Sequence, residues 1–201
     1  MYILVVTIIN DHEQVSVAPR RYAACARSLS SRLTPRAFPG TIKERRNDRT
    51  VNIGINGFGR IGRTYLRAAL RSHADVNVVA VNDITDVSTL ADLLEWDSIN
   101  GHLDSVSVEG DSIVVGSSRI RVFAQRDPAA IPWAQAGADV VIESTGRFTH
   151  PDAARAHLKG GPKKAVISAP AQGDAPALVP GVTAATPAFA GPPVFPTASS
   201  P

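Results

Sequence analysis

Residues 51–62 read Val-Asn-Ile-Gly-Ile-Asn-Gly-Phe-Gly-Arg-Ile-Gly. Val51, Ile53 and Ile55 alternate with smaller or polar residues, the period of a β-strand. Gly57, Gly59 and Gly62 then stand at the spacing G-x-G-x-x-G, and residues 63–71 follow with Leu66, Ala69 and Leu70 at helical spacing. Strand, glycine turn and helix in that order is the context in which this spacing indicates dinucleotide binding. Each glycine sacrifices about 0.5–1 kcal/mol relative to alanine in regular structure. Gly57 would permit the tight turn, Gly59 the close approach of a pyrophosphate, and Gly62 the packing of helix on strand. A helix N-terminus attracts an anion by roughly 0.3–1 kcal/mol, and backbone N–H bonds to charged phosphate add about 1.5–3 kcal/mol each. These terms outweigh the glycine cost only when a phosphate is present. The competing reading is a glycine-rich turn with no ligand.

The second half of the pattern lies downstream. Val76-Asn-Val-Val-Ala-Val-Asn-Asp83 is an apolar run ending in Asn82-Asp83, suited to a parallel strand buried on both faces. Asp83 falls about 20 residues past Gly62, where an acidic side chain would bond the adenosine ribose hydroxyls. A carboxylate there repels a 2′-phosphate, which favours NAD over NADP. Standing alone, Asp83 would read as a solvated residue in a strand-end turn.

Further motifs appear in order: Asn56-Gly-Phe-Gly-Arg-Ile-Gly-Arg63, Asn82-Asp83, Trp96-Asp-Ser-Ile-Asn-Gly101, Arg126-Asp-Pro128 with Ile131-Pro-Trp133, Glu143-Ser-Thr-Gly-Arg-Phe-Thr149 and Val166-Ile-Ser-Ala-Pro170. Together they resemble the amino-terminal NAD(P)-binding domain of phosphorylating glyceraldehyde-3-phosphate dehydrogenase, over about Val51 to Val182. The resemblance implies that the backbone amides of Arg60 and Ile61 meet the pyrophosphate and that Asp83 takes the ribose. It puts Arg126 on the adenine side, Ser144, Thr145 and Gly146 in a turn near the nicotinamide half, and Ser168 close to the nicotinamide. Asn56, Gly57, Phe58, Gly59 and Gly62 complete the implied cofactor set. Residues 138–143 and 163–168 read as apolar strands, and doubly wound sheets bind ligands at the carboxyl ends of their strands. Without the resemblance, Arg126 reads equally as a solvated loop arginine and Ser168 as an ordinary strand-end serine. Glu143 suggests a general base, but it reads as structural.

Composition bounds the rest. A chain of 201 residues holds one domain plus flanking segments, and 44% hydrophobic content is enough for a core. No run of 18 or more apolar residues indicates a membrane span. The single cysteine, Cys25, excludes an intrachain disulfide and gives no zinc cluster. Residues 1–50 hold nine Lys/Arg and four Asp/Glu, while residues 51–201 hold twelve and fourteen. The basic balance therefore belongs to the first segment. Its charges are scattered, with no aromatic-interleaved basic patch on the domain, so specific nucleic-acid binding is not indicated.

Residues 1–50 read as a disordered extension. Between Val15 and Lys43 there are six basic residues and no acidic one, the composition of an organellar transit peptide. Asp11 and Glu13 at the start favour the alternative, an upstream start codon on translated non-coding sequence. Residues 51–182 read as a Rossmann-type α/β domain, doubly wound and mostly parallel. The expected elements are strand 51–56, helix 60–72, strand 76–82, helix 87–95, two strands near 105–109 and 112–123, helix 128–136, strand 138–144, helix 150–159 and strand 163–169. Residues 112–123 read as a hairpin around Gly116-Ser117. Residues 183–201, with five prolines and no charge, read as a disordered Pro/Ala-rich tail.

The family's chemistry runs through a thiolate, and a thioester route needs a cysteine activated by a base. The family's Ser-Cys-Thr-Thr-Asn-Cys segment is absent from this sequence. Arg21 and Arg27 flank Cys25 and would lower its pKa, but it precedes the first strand of the domain and reads as non-catalytic. His150 and His157 read as helix-end or surface histidines. The expectation is an NAD(P)-binding domain of a glycolytic dehydrogenase truncated before its catalytic cysteine, with weak or no activity alone. The alternatives are a non-catalytic NAD-binding or interaction module and the same domain of erythrose-4-phosphate dehydrogenase. The resemblance implies a cytoplasmic location and, for full-length members, a homotetramer.

Overall fold

The computed structural model describes residues 8–10, 13–15, 50–72, 75–169 and 194–196, the short outer segments largely by their backbone. The remaining expectations for residues 1–49 and 170–201 lie outside the described residues. In chain order the elements are β1 (Ile8–Asn10), β2 (Glu13–Val15), β3 (Val51–Asn56), α1 (Arg60–Ser72), β4 (Val76–Asn82), α2 (Val87–Glu95), β5 (Trp96–Asp97) and β6 (Gly101–His102). There follow β7 (Val106–Glu109), β8 (Ser112–Val115), β9 (Ser118–Phe123), a 3-10 turn (Pro128–Ala130), α3 (Trp133–Ala136), β10 (Val140–Glu143), α4 (Pro151–Ala154), a second 3-10 stretch (Arg155–Gly160), β11 (Lys164–Ile167) and β12 (Val194–Pro196).

One sheet of eight strands carries the order β12-β11-β10-β3-β4-β9-β8-β7. From β12 to β9 every neighbouring pair is parallel. The last two pairs, β9 with β8 and β8 with β7, are antiparallel. The expected Rossmann-type, mostly parallel sheet is therefore present.

The strands are apolar throughout because both faces are covered. In β10, Val140 and Ile142 pack with Leu66, Leu90 and Leu94 of α1 and α2, whereas Val141 between them joins Trp133, Ile131 and Phe123 on the opposite face. Gly54 in β3 is required by that second core: a Cβ there would stand 2.6 Å from two ring carbons of Trp133. Asp86 starts α2 as its N-cap, accepting from Thr89 N at 2.9 Å and from the hydroxyls of Ser88 and Thr89 at 2.6 Å. At the other end of α2, the guanidinium of buried Arg67 reaches the carbonyl oxygens of Leu94, Glu95 and Gly101.

The structure departs from the sequence reading in five places. The helix expected over 128–136 is broken into a 3-10 turn and one α turn, because Pro132 supplies no N–H and disfavours helix at Ile131. The helix expected over 150–159 is α-helical only to Ala154 and tightens to 3-10 beyond. That tightening turns His157 inward. The Trp96–Asp97 and Gly101–His102 hairpin was not expected; Asp97 organises it by accepting from the backbone N–H of Ile99 and Asn100. Within the tail read as disordered, Val194–Pro196 pairs in parallel with β11, and Val194 is buried against Ala165 and Ile167. Within the extension read as disordered, β1 and β2 pair antiparallel, two short segments with β-branched residues at Ile8, Ile9 and Val15.

Candidate functional site

Strand order reverses at β3: β4 lies on one side of it and β10 on the other. Ligands of open α/β sheets bind outside the carboxyl ends of the strands at such a switch point. A cleft of about 330 Å³ opens there, lined by Asn56, Gly57 and Gly59 from the end of β3, by Asn82, Asp83 and Ile84 after β4, by Gln125 and Arg126 after β9, and by Ser144, Thr145, Arg147 and Phe148 after β10.

The glycine turn forms one wall. Gly57 has φ +89°, and a Cβ on it would lie 2.7 Å from Thr145 N. Its N–H donates to Asn82 O at 2.8 Å. Gly62, in the first turn of α1, presses against the carbonyl of Gly57. Gly59 is exposed, and a Cβ there would meet nothing within 4 Å. The first intrahelical bond of α1 runs from Arg63 N to Gly59 O, so the amides of Arg60, Ile61 and Gly62 before it have no helical partner.

Asp83 is tied into the same turn. One carboxylate oxygen accepts from Phe58 N at 2.8 Å and the other from Thr85 N at 3.1 Å. Each oxygen of a carboxylate keeps a further acceptor site, so the group pins the turn and still faces the cleft. Just beyond, hydrogen bonds from the side chains of Ser88 and Thr89 hold the Asp86 carboxyl well below the usual carboxylate range.

Beneath the cleft runs a line of buried polar groups. The side chain of Asn82 accepts from Gln125 N at 2.8 Å and donates to Gln125 O at 2.9 Å and to Asn56 Oδ1 at 2.8 Å. Asn56 Nδ2 lies 2.6 Å from Glu143 Oε2, and His157 Nε2 lies 2.8 Å from the same oxygen. The other Glu143 oxygen accepts from Thr145 N at 2.8 Å and from the Thr145 hydroxyl. Trp133 Nε1 completes the line, donating to His157 Nδ1 at 3.4 Å. The Ser144 hydroxyl is turned onto the carbonyls of Gly57 and Asn56, at 2.7 and 3.0 Å.

Of the residues singled out in the sequence, the cleft brings together Asn56, Gly57, Gly59, Asp83, Arg126, Ser144 and Thr145. Arg60 and Ile61 sit exposed in the first turn of α1, and Gly146 is exposed after Thr145 with φ +71°. The Phe58 side chain is buried in the core; its backbone N–H, not its ring, serves the site. Ser168 stands half-buried at the end of β11, one strand beyond β10, and bonds Glu143 O through its N–H. His157 corrects the sequence reading: it is fully buried rather than a surface residue, because the 3-10 stretch carries it between Glu143 and Trp133. His150 caps α4, as a helix-end residue does. Ile84, Gln125, Arg147 and Phe148 were not singled out. Arg147 and Phe148 lie inside a quoted motif, whereas Gln125 meets Asn82 through its backbone, which no side-chain pattern reveals.

Residues 51–151 match the family model described as glyceraldehyde 3-phosphate dehydrogenase, NAD binding domain. The chain is similar to the glyceraldehyde-3-phosphate dehydrogenase of Geobacillus stearothermophilus, 53% identical over 133 residues, covering 66% of this chain and 39% of that protein. Its likeness to the enzyme of Kitasatospora aureofaciens is 56% over 124 residues, covering 61% and 37%. For Mycobacterium avium it is 55% over 140 residues, covering 66% and 41%. The chain thus spans about two fifths of the length of these relatives.

The residues present suit a dinucleotide. Open space at Gly59, beside amides without helical partners, leaves room for a pyrophosphate, and the Asp83 carboxylate keeps acceptor sites that would suit ribose hydroxyls. Among the described residues no helix is long and apolar enough to cross a membrane.

Proposed function

This chain belongs to the glyceraldehyde 3-phosphate dehydrogenase family through its NAD-binding domain, and on that premise we propose that residues 51–182 bind NAD across the switch-point cleft. The carrying observation is the pairing of an unobstructed Gly59 with Asp83 one strand away. In this reading the amides of Arg60 and Ile61 hold the pyrophosphate at the α1 N-terminus, where free N–H groups and the helix dipole favour an anion. Gly62 fixes the helix against the turn, and Phe58 contributes its backbone bond to Asp83. Asp83 takes the adenosine ribose and disfavours a 2′-phosphate. Arg126 and Ile84 flank the adenine. Ser144, Thr145 and Gly146 turn past the nicotinamide half, with Asn56 beneath them and Ser168 on the far side.

Bound there, NAD supplies a hydride acceptor. The chemistry on an aldehyde needs a nucleophile besides, and the one cysteine of the sequence, Cys25, precedes the first strand of the domain. The chain by itself therefore binds cofactor with little or no oxidation of glyceraldehyde 3-phosphate, the reaction that the full family carries to 1,3-bisphosphoglycerate. In this reading it acts in the cytoplasm without a specific nucleic-acid partner, and the homotetramer is a property of full-length family members.

Calorimetric titration of the 201-residue chain with NAD tests this reading. Saturable binding supports it, and no heat at millimolar cofactor overturns it. Steady NADH formation from glyceraldehyde 3-phosphate, NAD and phosphate would overturn the inactivity.

A further inference from the structure

From Trp133 on one side and from Asn82 on the other, the hydrogen bonds of the buried line run toward Glu143. Indole nitrogen is a donor only, so Trp133 Nε1 makes His157 Nδ1 an acceptor. The imidazole proton then sits on Nε2, which donates to Glu143 Oε2. From the other direction Asn82 donates to Asn56 and Asn56 donates to Glu143. Asn56, Asn82, Glu143, His157 and Trp133 are each at most 4% exposed.

The carboxylate joins two strands at the reversal point. Oε2 holds Asn56, the last residue of β3, and Oε1 holds Thr145, two residues past the end of β10. The gap it spans has no slack, since a Cβ on Gly57 would already stand 2.7 Å from Thr145 N. A buried polar group satisfied on all sides fixes one arrangement, and a half-satisfied one is costly.

We propose that Glu143 and His157 are a positioning pair for the β10 side of the cleft: the His157 Nε2–H orients the Glu143 carboxylate, which sets Thr145 against Asn56. The proposal rests on the reading of the cleft as an NAD site. It assigns the pair no contact with the cofactor. Its effect is confined to the β10 side, two strand spacings (roughly 9–10 Å) from Asp83 on the β4 side.

That asymmetry gives the test. AMP would occupy the β4 side alone, at Asp83, Ile84 and Arg126, whereas NAD spans both sides. Calorimetry of the full chain compares the wild type with His157→Leu and His157→Gln against each ligand. His157→Leu, which removes the donor to Glu143, is expected to weaken NAD about tenfold and AMP less than about twofold. His157→Gln, whose amide donates to Glu143 and accepts from Trp133, is expected to restore most of the NAD affinity. Equal losses for NAD and AMP, or no loss, overturn the proposal while leaving the cofactor reading standing. A wild-type chain that binds neither ligand overturns the cofactor reading, and the proposal with it.

If His157→Leu does not fold, nitrogen-15 spectra of the wild type decide. The expected result is an Nε2–H tautomer at His157 and a Trp133 indole resonance that shifts with NAD and not with AMP, assigned with Trp96→Phe. An Nδ1–H tautomer, or an indole unmoved by NAD, overturns the proposal.

Discussion

A Cβ on Gly62 would fall 2.3 Å from the carbonyl oxygen of Gly57. These two glycines are therefore in backbone contact, and that contact sets the height of α1 above the end of β3. Gly59, between them in sequence, contributes nothing of the kind; the space above it is open. One motif thus contains glycines with two different physical duties.

The two duties separate on mutation. Gly62→Ala forces backbone to move and is expected to lose about 1–3 kcal/mol of stability. Gly59→Ala is expected to change stability by less than about 0.5 kcal/mol and yet to lower NAD affinity markedly by filling the cradle. Urea unfolding and NAD titration of both variants check this. Equal stability losses would contradict it.

Asp83→Ala removes the acceptor that faces the cleft along with the bonds to Phe58 N and Thr85 N. NAD affinity is expected to fall by about 1.5–3 kcal/mol, the range for bonds to a charged group. The repulsion of a 2′-phosphate disappears with the carboxylate, so the preference for NAD over NADP narrows. Parallel titrations with the two cofactors measure the ratio.

Acid sensitivity follows from Asp86. Its hydrogen bonds from Ser88 and Thr89 depress the folded-state pKa below the ordinary value. The unfolded chain then takes up the proton first, so the contribution is complete above the usual aspartate pKa of about 3.9 and is lost as pH falls below it. Asp86→Ala is expected to melt at lower temperature than the wild type at neutral pH, with the gap closing in acid. A gap that stays constant from neutral pH into strong acid would contradict the assignment.

Arg67 is a buried cation whose guanidinium serves four carbonyl groups, those of Leu94, Glu95, Asn100 and Gly101. Arg67→Met leaves those carbonyls without their partner and is expected to cost about 1.5–3 kcal/mol or more. Arg67→Lys is expected to rescue little, because an ammonium lacks the planar fork that meets several acceptors at once. Chemical denaturation of the two variants tests the ranking.

The parts of the fold legible in the sequence are those with strong periodicity. Val51–Asn56, Arg60–Ser72, Val76–Asn82 and Val87–Glu95 all stand where their patterns place them. The failures have local causes. A proline at 132 splits an apparent helix, and a 3-10 tightening after Ala154 hides His157 from any surface reading. Val194–Pro196 is too short, and too rich in proline around it, to register as a strand before β11 offers it an edge. For the site, Gly57, Gly59 and Asp83 were legible because their spacing is itself the geometry. The line through Gln125, Asn82, Asn56, Glu143 and His157 was not, since it is assembled from five separate segments by tertiary contact alone.

The position of β3 in the sheet also governs how the chain is made. Its β4 neighbour begins 25 residues downstream, at Val76 beside Val51, but the Glu143 that meets Asn56 on its other side comes 87 residues later. At about 5–20 residues per second, translation delays that second edge by roughly 4–17 s. Until then the ribosome holds a nascent chain whose central strand has one open, apolar edge, the kind of edge that recruits wrong partners. Protease pulses on nascent chains stalled before and after β10 are expected to find β3 accessible in the first and protected in the second.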